Sequence, residues 1–382
     1  MARKKAVKLN NPFVNQGYVN PLYFCDRQEE TETVLNHFKN DRNITLISPR
    51  RIGKTGLIKN IFYQIEQENN NAVCLYLDIF ATKNLQDFTE MFGTAVLNGF
   101  ANKEKSFFQK AAKLLGSLRP VLVSDPFTGL PKITITVEPS QVQLTIQQIF
   151  DLIANSKREI FIAIDEFQQI ANYPETGTEA LLRSHIQFTG GTHFIFAGSK
   201  FHLMTEMFGS PTRPFFQSTE MMELKPLDKE VYYQFARQFF ENKRGSLDQG
   251  VFGQLYDRFD GHTWYIQNVL NRLYDTCRHV KGMDDVNREI VHIVESKSPQ
   301  YESLSQFLSS NQFSMLKAIA SDGIAKAPTA AGFLNRHGIA SASVAQAALK
   351  GLTAKEIVYR TPQGYIIYDR FMSIWLKRMF GR

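Results

Sequence analysis

Apolar runs and helical patterns alternate along the first part of the chain, from residue 43 to about residue 225. Four continuous apolar runs predict buried parallel strands, at 44–47, 73–79, 160–164 and 193–197. Helical periodicity recurs between these runs, at 55–67, 84–100, 141–155 and 177–188. This alternation predicts a three-layer α/β domain built on a parallel sheet.

A different pattern interrupts the alternation at residues 119–138. Two strand-like runs flank a turn that contains Pro and Gly, and the second run alternates strictly at Ile133, Ile135 and Val137. We interpret this stretch as a hairpin insertion, placed at about 118–138, ahead of the strand at 160–164. A structural decoration is favoured over an interaction element.

Helical patterns dominate from Asp228 to the end of the chain. They cover 228–242, 247–258 and 264–279, and then 312–321, 328–336 and 341–350. Residues 356–369 hold two alternating runs around a Pro-Gln-Gly turn, and a last amphipathic helix is predicted at 370–380. Three short helices and a hairpin predict a winged helix-turn-helix.

The loop after the first predicted strand ends in Gly53-Lys54-Thr55 and runs into a helix. In a phosphate-binding loop, backbone N–H groups and the positive end of the helix hold a polyphosphate. The lysine reaches the β- and γ-phosphates, and the hydroxyl binds Mg²⁺. The predicted phosphate cradle comprises Pro49, Arg50, Arg51, Ile52, Gly53, Lys54, Thr55 and Gly56.

The first position of this loop carries Ser48, where a glycine is usual. The loop tolerates a serine only if that position has ordinary backbone angles. A chance Gly-Lys-Thr at a helix start is the alternative interpretation, and the flanking strand and helix disfavour it.

The strand at 160–164 is followed directly by Asp165 and Glu166. Ligands of open α/β sheets bind at the carboxyl ends of the strands. We therefore assign Asp165 to Mg²⁺, bound directly or through a water, and Glu166 to the polarisation of an attacking water. Alone, the two carboxylates could be a solvated turn. Together with the loop at 48–55 they indicate a nucleoside triphosphate and magnesium.

These motifs define the predicted fold and its three domains. Residues 1–226 form a P-loop NTPase core with a three-layer parallel sheet, residues 227–298 a helical lid, and residues 299–382 a winged helix-turn-helix.

Two further residues are candidates for contact with phosphate. Ser199 ends the strand at 193–199. In ATPases with an extra strand between the loop strand and the Asp-Glu strand, a polar residue at this place senses the γ-phosphate. Ser199 is the candidate for this role, and Lys200 is a lesser alternative. Arg213 follows in a loop and could reach phosphate in its own or a neighbouring site. An ordinary surface arginine is the favoured alternative for Arg213.

Composition narrows the class of protein without naming a partner. The chain has 382 residues and a net charge of +7, and basic residues gather at both ends. Solvated charge is favoured over nucleic-acid binding for these ends.

Cys25, Cys74 and Cys277 lie far apart without metal-binding spacing, which indicates a reducing compartment. No apolar run approaches membrane-spanning length, so we predict a cytoplasmic protein that does not bind membranes.

On these motifs the chain resembles the STAND class of P-loop ATPases, in particular small archaeal and bacterial ATPases related to AAA+ origin-recognition initiators. The stretches PRRIGKT and AIDEFQ look like the phosphate loop and acidic strand of that family. Residues 23–30 are similar to its motif hhGRExE near the adenine, where Arg27 and Glu30 match and Asp26 and Gln28 depart.

The resemblance also covers the second half of the chain. Gly261-His262-Thr263 falls at the family's GxP motif, with threonine in place of proline. By resemblance, Phe24, Arg27 and Gly261 are expected near the base. The family's helix-terminal arginine has no counterpart at its usual place, Gln217 or Ser218, and Arg213 could substitute for it.

Such ATPases are nucleotide switches, in which ATP closes the winged helix against the core. The resemblance therefore implies a slow, Mg²⁺-dependent ATPase that binds ATP and ADP and regulates or scaffolds a protein partner. The alternative is a protein that binds double-stranded DNA under control of ATP. A scaffold that binds nucleotide without hydrolysis is a third hypothesis, and Glu166 argues against it.

The predicted recognition helix discriminates between these functions. Its exposed residues would be Ser341, Ser343, Gln346 and Lys350, which carry a single charge. Phosphate binding normally needs several Lys or Arg. Arg360 on the wing, with Arg336 and His337, adds positive charge. Protein–protein or intramolecular use of the winged helix is therefore favoured over DNA binding.

Overall fold

The structure of the chain is a computed structural model that describes residues 8–103, 119–124 and 131–381. It divides into two compact units. The first unit consists of Met1–Asn10 and Val14–Tyr232, and the second of Asn11–Phe13 and Tyr233–Arg382. Several residues lie outside the described ranges: the predicted hairpin turn at 125–130 and, at the two basic ends of the chain, Arg3, Lys4, Lys5 and Arg382.

A five-stranded parallel sheet forms the centre of the first unit. Its strands, numbered in chain order, are β1 (Ile44–Ile47), β2 (Val73–Asp78), β5 (Ile160–Asp165), β6 (Thr192–Gly198) and β7 (Glu220–Glu223). Their spatial order is β2-β5-β6-β1-β7. Every residue of β1, β5 and β6 is buried, as the continuous apolar runs require of strands covered on both faces. The predicted parallel α/β core is confirmed.

Helices cover both faces of this sheet. They are α1 (Gln28–Lys39), α2 (Lys54–Glu68), α3 (Leu85–Lys103), α4 (Val142–Ala154), α5 (Thr178–Ile186) and α6 (Phe201–Gly209). Alternate strand residues point to opposite faces. Phe161 and Ala163 therefore pack with α1 and α2, whereas Ile160 and Ile162 pack with α3 to α6. The result is the three-layer arrangement that the sequence predicts.

An antiparallel hairpin, β3 (Arg119–Ser124) with β4 (Pro131–Thr136), accompanies α3. The Ile135 N–H donates to Thr94 Oγ1 at 3.2 Å, and the Val137 N–H donates to Glu90 Oε1 at 2.9 Å. A Cβ on Gly93 would lie 2.3 Å from the end of the Ile135 side chain, so α3 and β4 pack closely here and a larger residue would displace that side chain. These contacts attach the second strand of the hairpin to the core of the first unit.

The second unit is mainly helical. Helix α7 (Lys229–Asn242) crosses the boundary between the units, and the helices that follow are α8 (Gln249–Arg258), α9 (Thr263–Thr276), α10 (Met283–Gln306), α11 (Ser310–Asp322), α12 (Ala331–His337), α13 (Ala342–Ala354) and α14 (Arg370–Phe380). A short parallel pair, β8 (Ser246–Leu247) and β9 (His279–Val280), lies among them. The wing is the antiparallel pair β10 (Val358–Thr361) and β11 (Gly364–Ile367).

The predicted C-terminal winged helix is confirmed, with α13 at the place of the recognition helix. Helix α10 runs continuously across the predicted boundary at 298/299, with Pro299 inside it. Among the helices of the described residues, none combines the length and apolar character that a membrane span requires.

Tyr265, on α9, contacts residues of the winged helix within the second unit. Its buried hydroxyl donates to the Tyr368 carbonyl at 3.2 Å and accepts the Arg370 N–H at 3.1 Å. Its ring stacks on Phe259 and meets Phe371 edge-on, at centroid distances of 5.3 and 5.0 Å. Side chains from α9 and α14 therefore share one aromatic core.

Candidate nucleotide site

The phosphate loop connects β1 to the first turn of α2. Gly53 precedes the helix with φ of +111°, and Arg51 has φ of +70°. Glycine adopts such angles without the clash that a Cβ causes. The first N–H groups of α2 have no partner within the helix, so they can bind an anion. The local geometry is therefore that of a phosphate cradle.

Ser48 meets the condition that the sequence imposes on it. It is absent from the described residues that have a positive φ. Its N–H donates to the Gly198 carbonyl at 3.1 Å, and its hydroxyl donates to the Pro49 carbonyl at 3.1 Å. The serine thus satisfies its own hydroxyl and extends the β1–β6 pairing by one hydrogen bond.

Lys54 and Asp165 form a buried ion pair at the carboxyl edge of the sheet. The Lys54 Nζ lies 2.8 Å from Asp165 Oδ1 and 3.5 Å from Glu166 Oε1. Only 8% of the Lys54 side chain and 4% of the Asp165 side chain are exposed. Charges removed from water to this extent are tolerated only when they are paired. The ion pair therefore fixes the lysine against the acidic strand end.

Thr55 and Tyr76 both donate to the second oxygen of Asp165. Thr55 Oγ1 lies 3.1 Å and the Tyr76 hydroxyl 2.8 Å from Oδ2. Burial disfavours the charged form of Asp165, but the charge of Lys54 and the hydrogen bonds from Lys54 and Tyr76 outweigh burial and lower its pKa. The carboxylate is therefore held ionised, as a metal ligand must be.

Asp78 lies beside Asp165, in register with it on the neighbouring strand β2. Burial raises the pKa of Asp78, and the Phe80 N–H, which donates to its Oδ1 at 2.9 Å, opposes that shift. Burial also raises the pKa of the Tyr76 hydroxyl, with the charge of Asp165 as the next cause. The tyrosine therefore remains a proton donor to Asp165.

Glu166 is held by three side chains. Ser199 Oγ donates to its Oε2 at 2.7 Å, Gln168 Nε2 donates to the same oxygen, and Lys54 faces Oε1. The backbone of Glu166 is left-handed, with φ of +56°, a conformation that non-glycine residues adopt at a cost. The structure thus brings Ser199 to the carboxylate predicted to act on water.

The residues predicted near the adenine base of the nucleotide lie in different environments. Phe24 packs on the first turn of α2, where a Cβ on Gly56 would lie 3.0 Å from its ring, and its ring contacts Tyr18 edge-on. Arg27 is 5% exposed; it contacts Glu30 and donates to the Lys225 carbonyl at 2.6 Å. In this structure Arg27 therefore ties α1 to the chain after β7.

Arg213 belongs to a separate cluster. Its guanidinium contacts Glu179 on α5 and lies 3.0 Å from Glu206 on α6. Burial raises the pKa of Glu179, and the charge of Arg213 opposes that shift. The structure thus engages Arg213 with two carboxylates, apart from the Lys54 group. Gly261 lies in the second unit, ahead of α9.

Two residues predicted to help the winged helix bind DNA, Arg336 and His337, are engaged by a carboxylate. Arg336 lies 2.8 Å from Asp322 Oδ2, and His337 Nε2 lies 2.9 Å from Asp322 Oδ1. Arg360 is exposed on the wing, 5.9 Å from the centroid of the Tyr365 ring. Lys350 is exposed on α13. Arg360 and Lys350 are therefore exposed, whereas Arg336 and His337 are engaged by Asp322.

Sequence reasoning missed Tyr76 and Gln168. Tyr76 lies in the apolar run at 73–79, whose alternate residues are half-buried or exposed in the structure. Gln168 stands two residues after Glu166 in the same motif. Both donate to the acidic pair, and only the tertiary structure shows where their polar atoms point.

Comparisons with protein families and solved structures agree with this geometry. Residues 24–269 match the family described as "ATPase domain predominantly from Archaea", and residues 299–378 match "Probable winged helix domain". No curated protein gives a significant match.

Several solved structures share the fold at low sequence identity. The Walker-type ATPase PABY2304 of Pyrococcus abyssi has a TM-score of 0.61 at 15% identity, covering 96% of this chain and 99% of that one. The Aeropyrum pernix ORC1 protein in complex with DNA has a TM-score of 0.53 at 14% identity, covering 97% and 96%. The A. pernix ORC2 protein, solved in ADPNP–ADP complexes, has a TM-score of 0.50 at 16% identity, covering 97% and 98%.

The family match spans the phosphate loop, the acidic strand end and the parallel sheet that brings them together. The chain belongs to the ATPase domain family found predominantly in Archaea, and it carries a C-terminal winged helix.

Proposed function

We propose that this protein binds ATP with Mg²⁺ and hydrolyses it slowly to ADP and phosphate, as a molecular switch. One observation carries the proposal. Lys54 and Thr55 contact Glu166 and Asp165 across sequence separations of 112 and 110 residues. Two motifs that each have a weaker alternative thus converge in one buried group, as ATP hydrolysis requires.

Each residue of the group has a role in this proposal. Lys54 binds the β- and γ-phosphates, and the loop from Pro49 to Gly56 holds them through its N–H groups. Thr55 and Asp165 would hold Mg²⁺, because they present oxygen ligands 3.1 Å apart and Mg²⁺ prefers a few protein oxygens beside phosphate. When bound, Mg²⁺ neutralises phosphate charge.

Glu166 accepts a proton from the attacking water, and Ser199 senses the γ-phosphate. Phe24 offers an aromatic ring, beside the first turn of α2, to the adenine base of ATP. Arg213 requires release from Glu179 before it can act on phosphate, in its own or a neighbouring site. We assign Arg27 and Gly261 to the nucleotide site on the family resemblance alone.

We propose further that the chain is a switch of the STAND class, in which nucleotide controls the winged helix. The lid region and the winged helix share the Tyr265 contacts, and Arg370 pairs with Asp260 at 2.6 Å. These contacts support movement of the second unit as one body, which would regulate or scaffold a protein partner.

DNA binding controlled by ATP is the second candidate function. It is supported by the match to a winged helix domain and by the fold shared with ORC1 of A. pernix, which was solved in complex with DNA. In this chain, Arg360 and Lys350 are the exposed cations of the wing and recognition helix that would meet DNA phosphates.

ATP turnover by the purified protein, alone and with double-stranded DNA, tests both candidates. Glu166→Gln should keep ATP bound and lower turnover by about 10²- to 10⁴-fold, because it removes the base. Persistent turnover in that variant would mean that Glu166 is not the base. Stimulation by DNA would support the second candidate, and indifference to DNA would support a protein partner.

A further inference from the structure

Gln168 holds the carboxylate of Glu166 from the side opposite Lys54. It lies in the short 3-10 helix Phe167–Asn172, which begins directly after Glu166. Its Nε2 donates to Glu166 Oε2, the oxygen that also accepts from Ser199 Oγ at 2.7 Å. Glu166 Oε1 lies 3.5 Å from Lys54 Nζ. One oxygen of the carboxylate is therefore fixed by two donors, and the other faces the lysine predicted to bind phosphate.

The other end of the Gln168 amide has no partner. The side chain is 3% exposed, and its Oε1 is buried without a hydrogen bond to any described residue. Oε1 lies against Gly198, where an added Cβ would come within 2.4 Å of it. Turning the amide over would place this acceptor against the carboxylate of Glu166. The unpaired acceptor lowers stability and the hydrogen bond to the carboxylate of Glu166 raises it, so the two ends of the amide act in opposite directions.

Ser199 cannot hold Glu166 and sense phosphate with the same proton. A serine hydroxyl donates a single hydrogen bond, and that bond is made to Glu166. When a γ-phosphate oxygen accepts the proton instead, Glu166 Oε2 retains the amide of Gln168 as its donor. The amide has no other acceptor within reach among the described residues, so its hold on Glu166 does not depend on the phosphate.

We propose that Gln168 is the positioning residue for Glu166 during hydrolysis. Its amide keeps Oε2 in place while Ser199 contacts phosphate, so that Oε1 stays directed at the attacking water. The inference rests on the proposed ATPase function. It assigns to turnover a side chain with a buried, unpaired acceptor, and functional sites are commonly built at the expense of stability.

The test compares Gln168→Met with Gln169→Met. Methionine keeps the length of the side chain and removes both amide atoms. Gln169 is the matched control, because it lies one residue further on the same 3-10 helix and its Nε2 donates to the Thr82 carbonyl at 2.9 Å, away from Glu166. ATP turnover, ATP affinity and the thermal unfolding midpoint are measured for both variants and the wild type.

Gln168→Met should lower kcat about ten- to a hundredfold, with ATP affinity within about twofold of the wild type, because only the orientation of the base is lost. Its unfolding midpoint should stay close to that of the wild type, since the loss of the unpaired acceptor offsets the loss of the hydrogen bond to Glu166. Gln169→Met should show the reverse: a lower midpoint and a kcat close to that of the wild type. For Gln168→Met, a lower midpoint together with a kcat close to that of the wild type would assign Gln168 to structure and overturn the proposal.

A second variant separates positioning from a direct effect. In a Glu166→Gln background, adding Gln168→Met should not slow single-turnover hydrolysis further, because no base remains to be positioned. A further tenfold loss there, or unchanged kcat in Gln168→Met alone, would overturn the proposal while leaving the ATPase intact. Absence of ATP hydrolysis by the wild type would instead refute the proposed function on which the inference rests.

Discussion

The carboxyl edge of the sheet and the exposed face of the winged helix hold charge in opposite ways. At the sheet edge, Lys54 and Asp165 are almost fully buried and come from segments far apart in the chain. On the winged helix, Arg336 is 61% exposed and pairs with nearby Asp322. Buried charges require defined partners, whereas exposed ion pairs contribute little to the stability of the folded chain. The arrangement of the first region therefore indicates which ligand it binds, whereas the arrangement of the second does not identify a partner.

The largest expected effect comes from removing the charge at the sheet edge. Lys54→Ala should weaken ATP binding by at least about a hundredfold, because the phosphates lose their only lysine from the loop. It should also destabilise the first unit by about 3 kcal/mol, because Asp165 stays buried without its ion pair. Calorimetric titration with ATP and denaturant unfolding measure the two effects.

Exposed Lys39 on α1 provides the control for that variant. Lys39→Ala should bind ATP and unfold as the wild type does. Unchanged ATP affinity in folded Lys54→Ala would contradict the assignment of residues 48–55 as a phosphate loop.

The corresponding change on the winged helix should have a smaller effect. If the wing contacts DNA, Arg360→Glu should weaken binding to a short duplex about tenfold and reduce the slope of log affinity against log salt by about one. Fluorescence anisotropy at several salt concentrations gives both values. Lys350→Glu on α13 shows whether the recognition helix contributes. If the wild type binds DNA well and neither change matters, the contact surface lies elsewhere.

Removing the Tyr265 hydroxyl tests how the winged helix is attached within the second unit. Tyr265→Phe should lower the free energy of unfolding by about 1–2 kcal/mol, since the Tyr368 carbonyl and the Arg370 N–H lose their partner. Both tryptophans of the chain, Trp264 and Trp375, lie in this unit, so their fluorescence reports its unfolding. An unchanged midpoint would show that the aromatic packing alone suffices.

The smallest expected effect is the pH dependence of the first unit. His193 is 5% exposed, and burial lowers its pKa, against the opposing charge of Glu159. A histidine of the unfolded chain has a pKa near 6.5. Below about that pH the unfolded chain therefore binds more protons than the folded chain does. Stability should be full above about pH 6.5 and should decline below it.

His193→Gln should reduce that decline without abolishing it. Burial also lowers the pKa of His185, so this second histidine contributes with the same sign. Circular dichroism melts across this pH range measure the difference. A pH dependence identical in the variant and the wild type would exclude His193 as a cause.

Much of the fold follows from local patterns. The continuous apolar runs predicted β1, β5 and β6 to within two residues, because a strand buried on both faces must be apolar throughout. The order β2-β5-β6-β1-β7 is a different matter. It depends on which crossover each helix makes, and no residue pattern within a strand encodes its neighbour.

The site divides in the same way. Lys54, Thr55, Asp165 and Glu166 were named from two motifs, since each motif combines residue types that phosphate and metal chemistry need. Tyr76 and Gln168 were missed, because a tyrosine in a strand and a glutamine after an acidic pair each have ordinary explanations. The engagement of Arg213 by Glu179 and Glu206 was likewise invisible in the sequence.

Most helices and strands, the α/β class with its C-terminal winged helix, and the residue types of the phosphate loop and the acidic strand end follow from local sequence patterns. These properties depend on periodicity and on short spacings, which act within one turn, strand or loop. The folded chain alone shows that Ser199 and Gln168 share one oxygen of Glu166, and that Asp322 engages Arg336 and His337. A hydrogen bond depends on distances of a few tenths of an ångström between distant segments, and packing of the whole unit sets those distances.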